Sequence, residues 1–157
     1  VLSALPEAHV VRTSWVYTGG DGTDFVAVMR RLAATDRVIE VVDDQTGAPT
    51  YARDLVAALL EVAAGDTTAP ILHAVNAGAA SRFEQARAVF NELGADPDRV
   101  RPVSTAAVPR PAHRPVYSVL SMVDSTRAGL TALRPWREAL AEALAVPLAG
   151  QPITSTP

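Results

Sequence analysis

The sequence predicts an α/β protein, because short β-branched runs alternate along the chain with segments of helical periodicity. The β-branched runs predict strands at 10–16, 38–42, 71–75 and 100–103. Helical segments are predicted to begin near Asp24, Thr50, Ser81 and Pro135. Because so few strands do not complete a doubly wound sheet, we expect the chain to hold only part of one.

The composition excludes several classes of function. The 157 residues are 48% hydrophobic and 20% charged, which is ordinary for a globular protein. The net charge of −3 gives no reason to expect nucleic acid or an anionic membrane as a partner. No apolar run reaches the ~18 residues of a spanning helix, and no signal peptide is visible, so a cytoplasmic location is expected.

The chain also lacks two reactive residue types. It has no cysteine, which excludes disulfides and thiolate metal sites. All 14 of its basic residues are arginine, so no Schiff-base lysine, Walker lysine or Tyr-x-x-x-Lys pair can be built from it. The three histidines, His9, His73 and His113, do not have the spacing of metal ligands.

The N-terminal third is predicted to contain a helix end, a strand, a glycine loop and a helix. The first five residues are typical of the end of a helix closed by Pro6, so the chain is expected to begin inside a larger protein. Gly19, Gly20 and Gly22 follow the first strand but lack the full G-x-G-x-x-G spacing, which leaves a flexible loop or a lid as the alternative. The next helix is expected to bury one apolar face, formed by Phe25, Val28, Met29 and Leu32.

The central stretch, 38–54, places a polar loop between the end of a strand and the start of a helix. Gly47 and Pro49 predict an irregular turn, Thr50 is a predicted N-cap, and Asp54 lies in the first helical turn, where the helix dipole favours an anion. The helix ends at Gly65 and repeats apolar residues at helical spacing: Leu55, Val56, Leu59, Leu60 and Ala63.

The last third predicts three further helices and an edge strand. Ser81 and Glu84 form a capping box, and Pro102 indicates that the strand at 100–103 lies at an edge. An ordered, proline-rich segment at 106–115 precedes a short helix capped by Asp124 or Ser125. The final helix should begin at Pro135 and bury three apolar side chains: Trp136, Leu140 and Leu144.

Five segments carry a resemblance to a known family. They are Arg-Thr-Ser-Trp-Val-Tyr at 12–17, Asp-Asp-Gln-x-Gly-x-Pro-Thr at 43–50, His-Ala-Val-Asn at 73–76, Pro-x-Pro-Ala-x-Arg-Pro at 109–115 and Trp-Arg-Glu-Ala-Leu at 136–140. In this order they resemble the dTDP-4-dehydrorhamnose reductases of the extended short-chain dehydrogenase/reductase group. The resemblance covers nearly all of residues 8–145.

The resemblance implies the C-terminal half of such a reductase. Residues 1–149 would form the last strands of a Rossmann-type parallel sheet plus a small α/β substrate-binding domain, followed by a disordered tail at 150–157. The missing N-terminal Rossmann half would carry the Gly-x-x-Gly-x-x-Gly fingerprint and the Tyr-x-x-x-Lys pair. That half would bind most of the NADPH and be the partner of this chain, and a homodimer is also possible.

Five residues are candidate substrate contacts by this resemblance: Trp15, Asp44, Gln45, Thr50 and Arg114. Trp15 ends its predicted strand and could offer an indole face to a sugar or be a core residue. Arg114, which is followed by Pro115, could bind a diphosphate through its guanidinium fork or be a surface arginine. Gln45 and Thr50 could hydrogen-bond sugar hydroxyls.

On the cofactor side, Thr13 and Ser14 are the candidate contacts. Asp43 and Asp44 would point to opposite faces of a strand, so no metal site is expected. No catalytic residue is expected in this chain, because the tyrosine and lysine of the family would lie outside it.

The expected reaction is NADPH-dependent reduction of the C4 ketone of dTDP-4-dehydrorhamnose to dTDP-L-rhamnose, a precursor of cell-wall polysaccharide. Two alternatives remain open on the sequence. One is a nucleotide-sugar binding module without chemistry, and the other is an epimerase or reductase of the same superfamily that acts on a different nucleotide sugar.

Overall fold

The computed structural model describes residues 1–65, 67–108 and 111–146, and its elements follow the predicted α/β order. The strands are β1 (Val10–Arg12), β2 (Val16–Tyr17), β3 (Ile39–Val42), β4 (Thr46–Gly47), β5 (Thr50–Tyr51), β6 (Ile71–His73), β7 (Ala80–Ser81) and β8 (Val100–Val103). The α-helices are α1 (Phe25–Ala33), α2 (Ala52–Ala63), α3 (Arg82–Glu92), α4 (Val123–Arg127) and α5 (Trp136–Ala145). Short 3₁₀ turns at Pro97–Arg99 and Thr105–Ala107 flank β8. The predicted tail at 150–157 lies outside the described residues.

Parallel pairing dominates the strands, as the α/β prediction requires. β1 pairs with β6, β2 with β5 and β3 with β8, all in parallel, whereas β4 and β7 are antiparallel. Pro102 lies opposite Val41 in β8, a strand whose one described partner is β3. The predictions of parallel strands and of an edge position for Pro102 are therefore confirmed.

The first predicted strand, 10–16, is interrupted in the structure. β1 ends at Arg12, and the chain resumes strand geometry only at Val16. Between them Trp15 adopts a positive φ of 47°. The interruption has a topological cause, because β1 pairs with β6 and β2 with a different strand, β5, so the chain must change partner between them.

α1 begins where the sequence predicts, and its buried residues include the predicted Met29. The carboxylate of Asp24 accepts a hydrogen bond from the amide of Ala27, a regular N-cap. Val26 is completely buried, whereas Phe25 and Val28 are only partly buried. Together with Leu32, these two residues still pack against the larger core cluster, so the predicted face is confirmed in part.

The predicted N-cap of α2 is wrong by one residue. Thr50 lies in β5 and its hydroxyl donates to the carbonyl oxygen of Ala48, so it does not cap the helix. Tyr51 occupies the N-cap position without a side-chain hydrogen bond. Thr50 instead pairs with Val16 as part of a buried strand pair, and this strand conformation takes the place of helix capping.

The apolar repeat predicted for α2 is only partly covered in this chain. Ala58 and Val62 are the buried residues of the helix, and they pack in one cluster with Leu72 of β6. Leu55 of the predicted repeat is partly buried and packs against the same cluster. Val56, Leu59 and Leu60 are exposed and form an uncovered apolar face in this chain.

The predictions for α3 are confirmed. Ser81 and Glu84 form the reciprocal capping box, with the serine hydroxyl accepting from the amide of Glu84 at 3.0 Å. Val89 and Phe90 are completely buried on the inner face.

The structure differs from the prediction at residues 1–5 and at the start of α4, and it agrees with the prediction for α5. Residues 1–5 form a hydrogen-bonded turn, not a helix end. α4 begins at Val123 after Met122, so neither Asp124 nor Ser125 is its cap. α5 begins at Trp136, directly after Pro135, and buries Trp136, Leu140 and Leu144 as predicted.

Two apolar clusters form the core. The larger joins α1, α3 and α5 with β3 and β8, and the smaller joins α2 with β6 and Leu130. Within the described residues, no helix is long and apolar enough to cross a membrane.

Truncating Trp136 to alanine should destabilise the protein strongly. The indole is 5% exposed and packs against Gly78, so the truncation leaves a cavity in the larger cluster. We expect a loss of about 3–5 kcal/mol in the free energy of unfolding. Thermal or denaturant unfolding measures it, with the exposed Tyr117→Ala as the control; equal stabilities of the two variants would contradict the core assignment.

Candidate functional site

A cavity of about 660 Å³ lies between α1, β3 and the start of α3. Its volume is in the range of small-molecule sites, roughly 300–1,000 Å³. One wall is apolar and is formed by Phe25, Val28, Met29, Val41 and Val42. The polar side chains that line it include Glu40, Gln45, Arg82 and Arg114. The cavity therefore brings together two predicted contacts, Gln45 and Arg114, with an arginine that was not predicted.

Trp15 lies beside this cavity in a strained conformation. Its φ of 47° is rare for a bulky residue and is the only positive φ outside glycine among the described residues. Such strain persists where the surrounding structure enforces it, often at functional sites.

The Trp15 indole is in contact with both Arg82 and Gly47. The Arg82 guanidinium carbon lies 3.6 Å from the ring centroid, a cation–π contact. A Cβ added to Gly47 would lie 2.3 Å from the indole Cε2, so the glycine permits a close approach of backbone to ring. A sugar could stack on the ring face that Arg82 covers only after Arg82 moves, and the role of Trp15 as a sugar contact stays a prediction.

Gln45 is a buried residue of the site. Its Nε2 donates to the Thr105 hydroxyl at 2.9 Å, and its backbone carbonyl accepts from the amide of Arg82. The side chain therefore has a fixed orientation at the cavity wall. This placement is compatible with the predicted hydrogen bond to a ligand, which itself stays a prediction.

Asp44 is not among the cavity-lining residues and acts as a brace. Its carboxylate accepts from the Thr105 amide at 2.8 Å and from the Thr105 hydroxyl at 2.5 Å. These bonds, the hydroxyl first, hold the pKa of Asp44 below its usual range because they stabilise the charged form. The brace ties the end of β3 to the turn that follows β8.

The neighbouring carboxylate, Asp43, diverges from Asp44. Its Oδ1 accepts from the Ser81 hydroxyl at 2.6 Å, which connects the end of β3 to the start of α3. In the described ranges, no group of three or more His, Cys, Asp or Glu side chains is placed to hold a metal ion.

The three remaining candidate contacts, Thr50, Ser14 and Thr13, differ in how exposed they are. Thr50 is completely buried and its hydroxyl donates to Ala48, so the structure does not place it in the cavity. The Ser14 hydroxyl also donates to the carbonyl oxygen of Ala48, at 2.8 Å. Thr13 is exposed directly after the carboxyl end of β1, where ligands of parallel sheets bind.

Arg82 is the site residue that sequence reasoning missed. It is the first residue of α3 and was interpreted only as part of the capping box with Ser81. The burial of Arg82 and the charge of Arg114 lower the pKa of Arg82 to about 10. The sequence did contain one indication, because Arg82 directly follows the N-cap Ser81. Side chains in a helix tilt towards its N-terminus, so an arginine at this position can reach a ligand bound there.

Replacing Gly47 by alanine should displace the indole of Trp15. The new Cβ would lie 2.3 Å from the ring, so the ring or the backbone must shift. We expect a loss of about 1–3 kcal/mol in stability from this overpacking, together with a changed tryptophan emission. Gly65→Ala is a poor control because of its φ of 87°, whereas Gly20→Ala meets nothing closer than 3.8 Å and should leave emission unchanged.

Replacing Thr105 by valine should raise the pKa of Asp44 towards its ordinary value. The hydroxyl bond is the largest cause of the lowered pKa, and valine removes it while keeping the amide donor. Carboxyl chemical shifts followed against pH measure this change. An unchanged Asp44 titration in the variant would show that the brace does not form in solution.

The family model described as RmlD substrate binding domain matches residues 1–148. A curated relative, the dTDP-4-dehydrorhamnose reductase of Mycolicibacterium smegmatis, is 59% identical over 160 residues, which cover 100% of this chain and 49% of that protein.

Solved structures agree with this similarity. A dTDP-4-dehydrorhamnose reductase from Clostridium acetobutylicum has a TM-score of 0.83 and 36% identity, covering 92% of this chain and 50% of its own. The reductase from Bacillus anthracis, solved in complex with NADP, has a TM-score of 0.79 and 33% identity, covering 87% and 48%. The chain thus spans about half the length of the relatives it matches.

Proposed function

Because the chain belongs to the RmlD substrate binding domain family, we propose that it is the substrate-binding half of a dTDP-4-dehydrorhamnose reductase. The observation that carries the proposal is the 59% identity to the Mycolicibacterium smegmatis reductase over the whole of this chain. The same similarity favours a reductase over a binding module without chemistry. The other half of the protein would supply the dinucleotide fold.

The whole protein would reduce the C4 ketone of dTDP-4-dehydro-L-rhamnose to the alcohol of dTDP-L-rhamnose. NADPH, when bound, supplies the hydride for the carbonyl carbon; the NADP in the Bacillus anthracis relative supports this choice. The family's tyrosine and lysine would deliver the proton to the oxygen, and this chain cannot provide the lysine because it has none. A cytoplasmic location and a product used for cell-wall polysaccharide are part of this proposal.

In this chain, Arg114 and Gln45 are the proposed substrate contacts in the cavity. Arg114 is exposed at the cavity wall and can present two N–H donors to a phosphate. Gln45 can present its amide to the sugar or nucleotide while Thr105 holds it in place. Asp44 and Thr50 would act indirectly, through the brace to Thr105 and through the buried strand β5.

The cofactor side of the proposal rests on Thr13 and Ser14. Thr13 is exposed at the carboxyl end of β1, which fits a contact with a dinucleotide bound at the edge of the sheet. Ser14 would position this turn, because its hydroxyl is bonded to the Ala48 carbonyl.

The uncovered apolar face of α2 supports the proposal that the N-terminal half of the same protein packs against this chain. Leu60 is 66% exposed and Val56 53% exposed, while β1 and β6 form only a strand pair. Parallel strands are normally buried on both faces, and large exposed apolar patches mark interaction sites. The relatives contain about as many residues again as this chain, enough to cover this face. A second copy of the chain remains a possible additional partner.

The chain alone should not reduce the keto sugar nucleotide. It can be mixed with NADPH and dTDP-4-dehydro-L-rhamnose while the absorbance of the reduced cofactor is followed. We expect no turnover, because no Tyr-x-x-x-Lys pair can be built from a chain without lysine. The full-length protein is the positive control and should consume the cofactor; turnover by the chain alone, or none by the full-length protein, would contradict the proposal.

A further inference from the structure

Two guanidinium groups share the candidate cavity without a carboxylate partner. Arg82 and Arg114 both line it, and neither belongs to any ion pair formed within the described part of the chain. Glu40 supplies the carboxylate among the lining residues that the structure describes. An arginine removed from water without a counter-ion is costly, so such an arrangement favours an anionic ligand.

Arg82 is held in position from several directions. Its guanidinium carbon lies 3.6 Å from the Trp15 ring centroid and 4.8 Å from that of Phe25. Its Nη1 also donates to Gln85 Oε1 at 3.2 Å. Ordering this side chain before a ligand binds lowers the entropy that binding must remove.

The pKa of Arg82 reflects both its burial and the nearby charge of Arg114. Burial of Arg82, followed by the charge of Arg114, lowers the pKa of Arg82 to about 10. The group still carries its charge at neutral pH. A dianion between the two cations would offset both effects, because a nearby negative charge favours the protonated guanidinium.

We propose that Arg82 is a phosphate-binding residue, and that Arg82 and Arg114 together hold the two phosphates of a nucleoside diphosphate. This inference rests on the proposed function for the identity of the nucleotide, and it adds a residue to it. Two separate forks suit two phosphate groups better than a single carboxylate or monophosphate, because each guanidinium can bind one phosphate in a bidentate manner.

The proposal also assigns a role to Trp15. Trp15 is a positioning residue whose indole supports the Arg82 guanidinium and is in close contact with Gly47. The strained φ of 47° places the ring there. A tryptophan at this position then affects nucleotide binding through Arg82, whether or not it touches the sugar.

The test measures binding of thymidine diphosphate and thymidine monophosphate to the full-length protein by calorimetry. Arg82→Gln and Arg114→Gln are compared with wild type, and the exposed Arg37→Gln is the matched control. Losing charged hydrogen bonds to one phosphate should weaken diphosphate binding roughly 10- to 100-fold in each cavity variant. The monophosphate should be affected less by Arg82→Gln, so the preference for diphosphate falls; a merely structural defect would lower both affinities alike.

The outcomes separate this inference from the proposed function. Weakened binding in Arg114→Gln with wild-type binding in Arg82→Gln overturns the role of Arg82 and leaves the proposed function intact. A wild-type protein that binds no thymidine diphosphate overturns the proposed function and the inference with it. If Arg82→Gln does not fold, Arg82→Lys keeps the charge but loses the fork, and an unchanged diphosphate preference in it contradicts the proposal.

Discussion

The arrangement of this chain depends on one buried amide, that of Asn76. Its Oδ1 accepts from the backbone amide of Tyr51 at 2.8 Å, and its Nδ2 donates to Asp54 at 2.7 Å and to the Arg134 carbonyl at 3.0 Å. The side chain is 1% exposed, so each of these bonds is made away from water, where an unmade bond is expensive. Asn76, which follows β6 in the chain, thereby fixes the start of α2 and the segment before α5.

The same network joins the two apolar clusters. Asp54 accepts from Arg134 through Nε and Nη2, both at 2.9 Å, and Arg134 also contacts Glu142 of α5. These bonds, to Asp54 first, raise the pKa of Arg134. Tyr51 and Trp136 belong to the larger cluster and Ala58 to the smaller, so the network sits at their junction. With α2 and β5 fixed in this way, the loop between β4 and β5 is held against Trp15.

The site follows from that arrangement and was only partly predictable. Gln45 and Arg114 were identified through the family resemblance, and both line the cavity. Arg82 was missed because its contacts with Trp15 and Phe25 join residues far apart in the chain. Thr50 was misplaced for a related reason, since its pairing with Val16 is a tertiary event that local capping rules do not contain.

Local chemistry in the sequence determined the element types, the capping box at Ser81, the N-cap at Asp24 and the buried face of α5. Each of these depends on residues within one or two turns of one another, so spacing alone specifies it. Tertiary structure alone decided which faces of α1 and α2 are covered, why the first strand breaks at Trp15 and which arginine lies beside Arg114. Those features depend on where distant segments of the chain meet. Amphipathic periodicity describes one helix at a time and does not specify which distant segment packs against it.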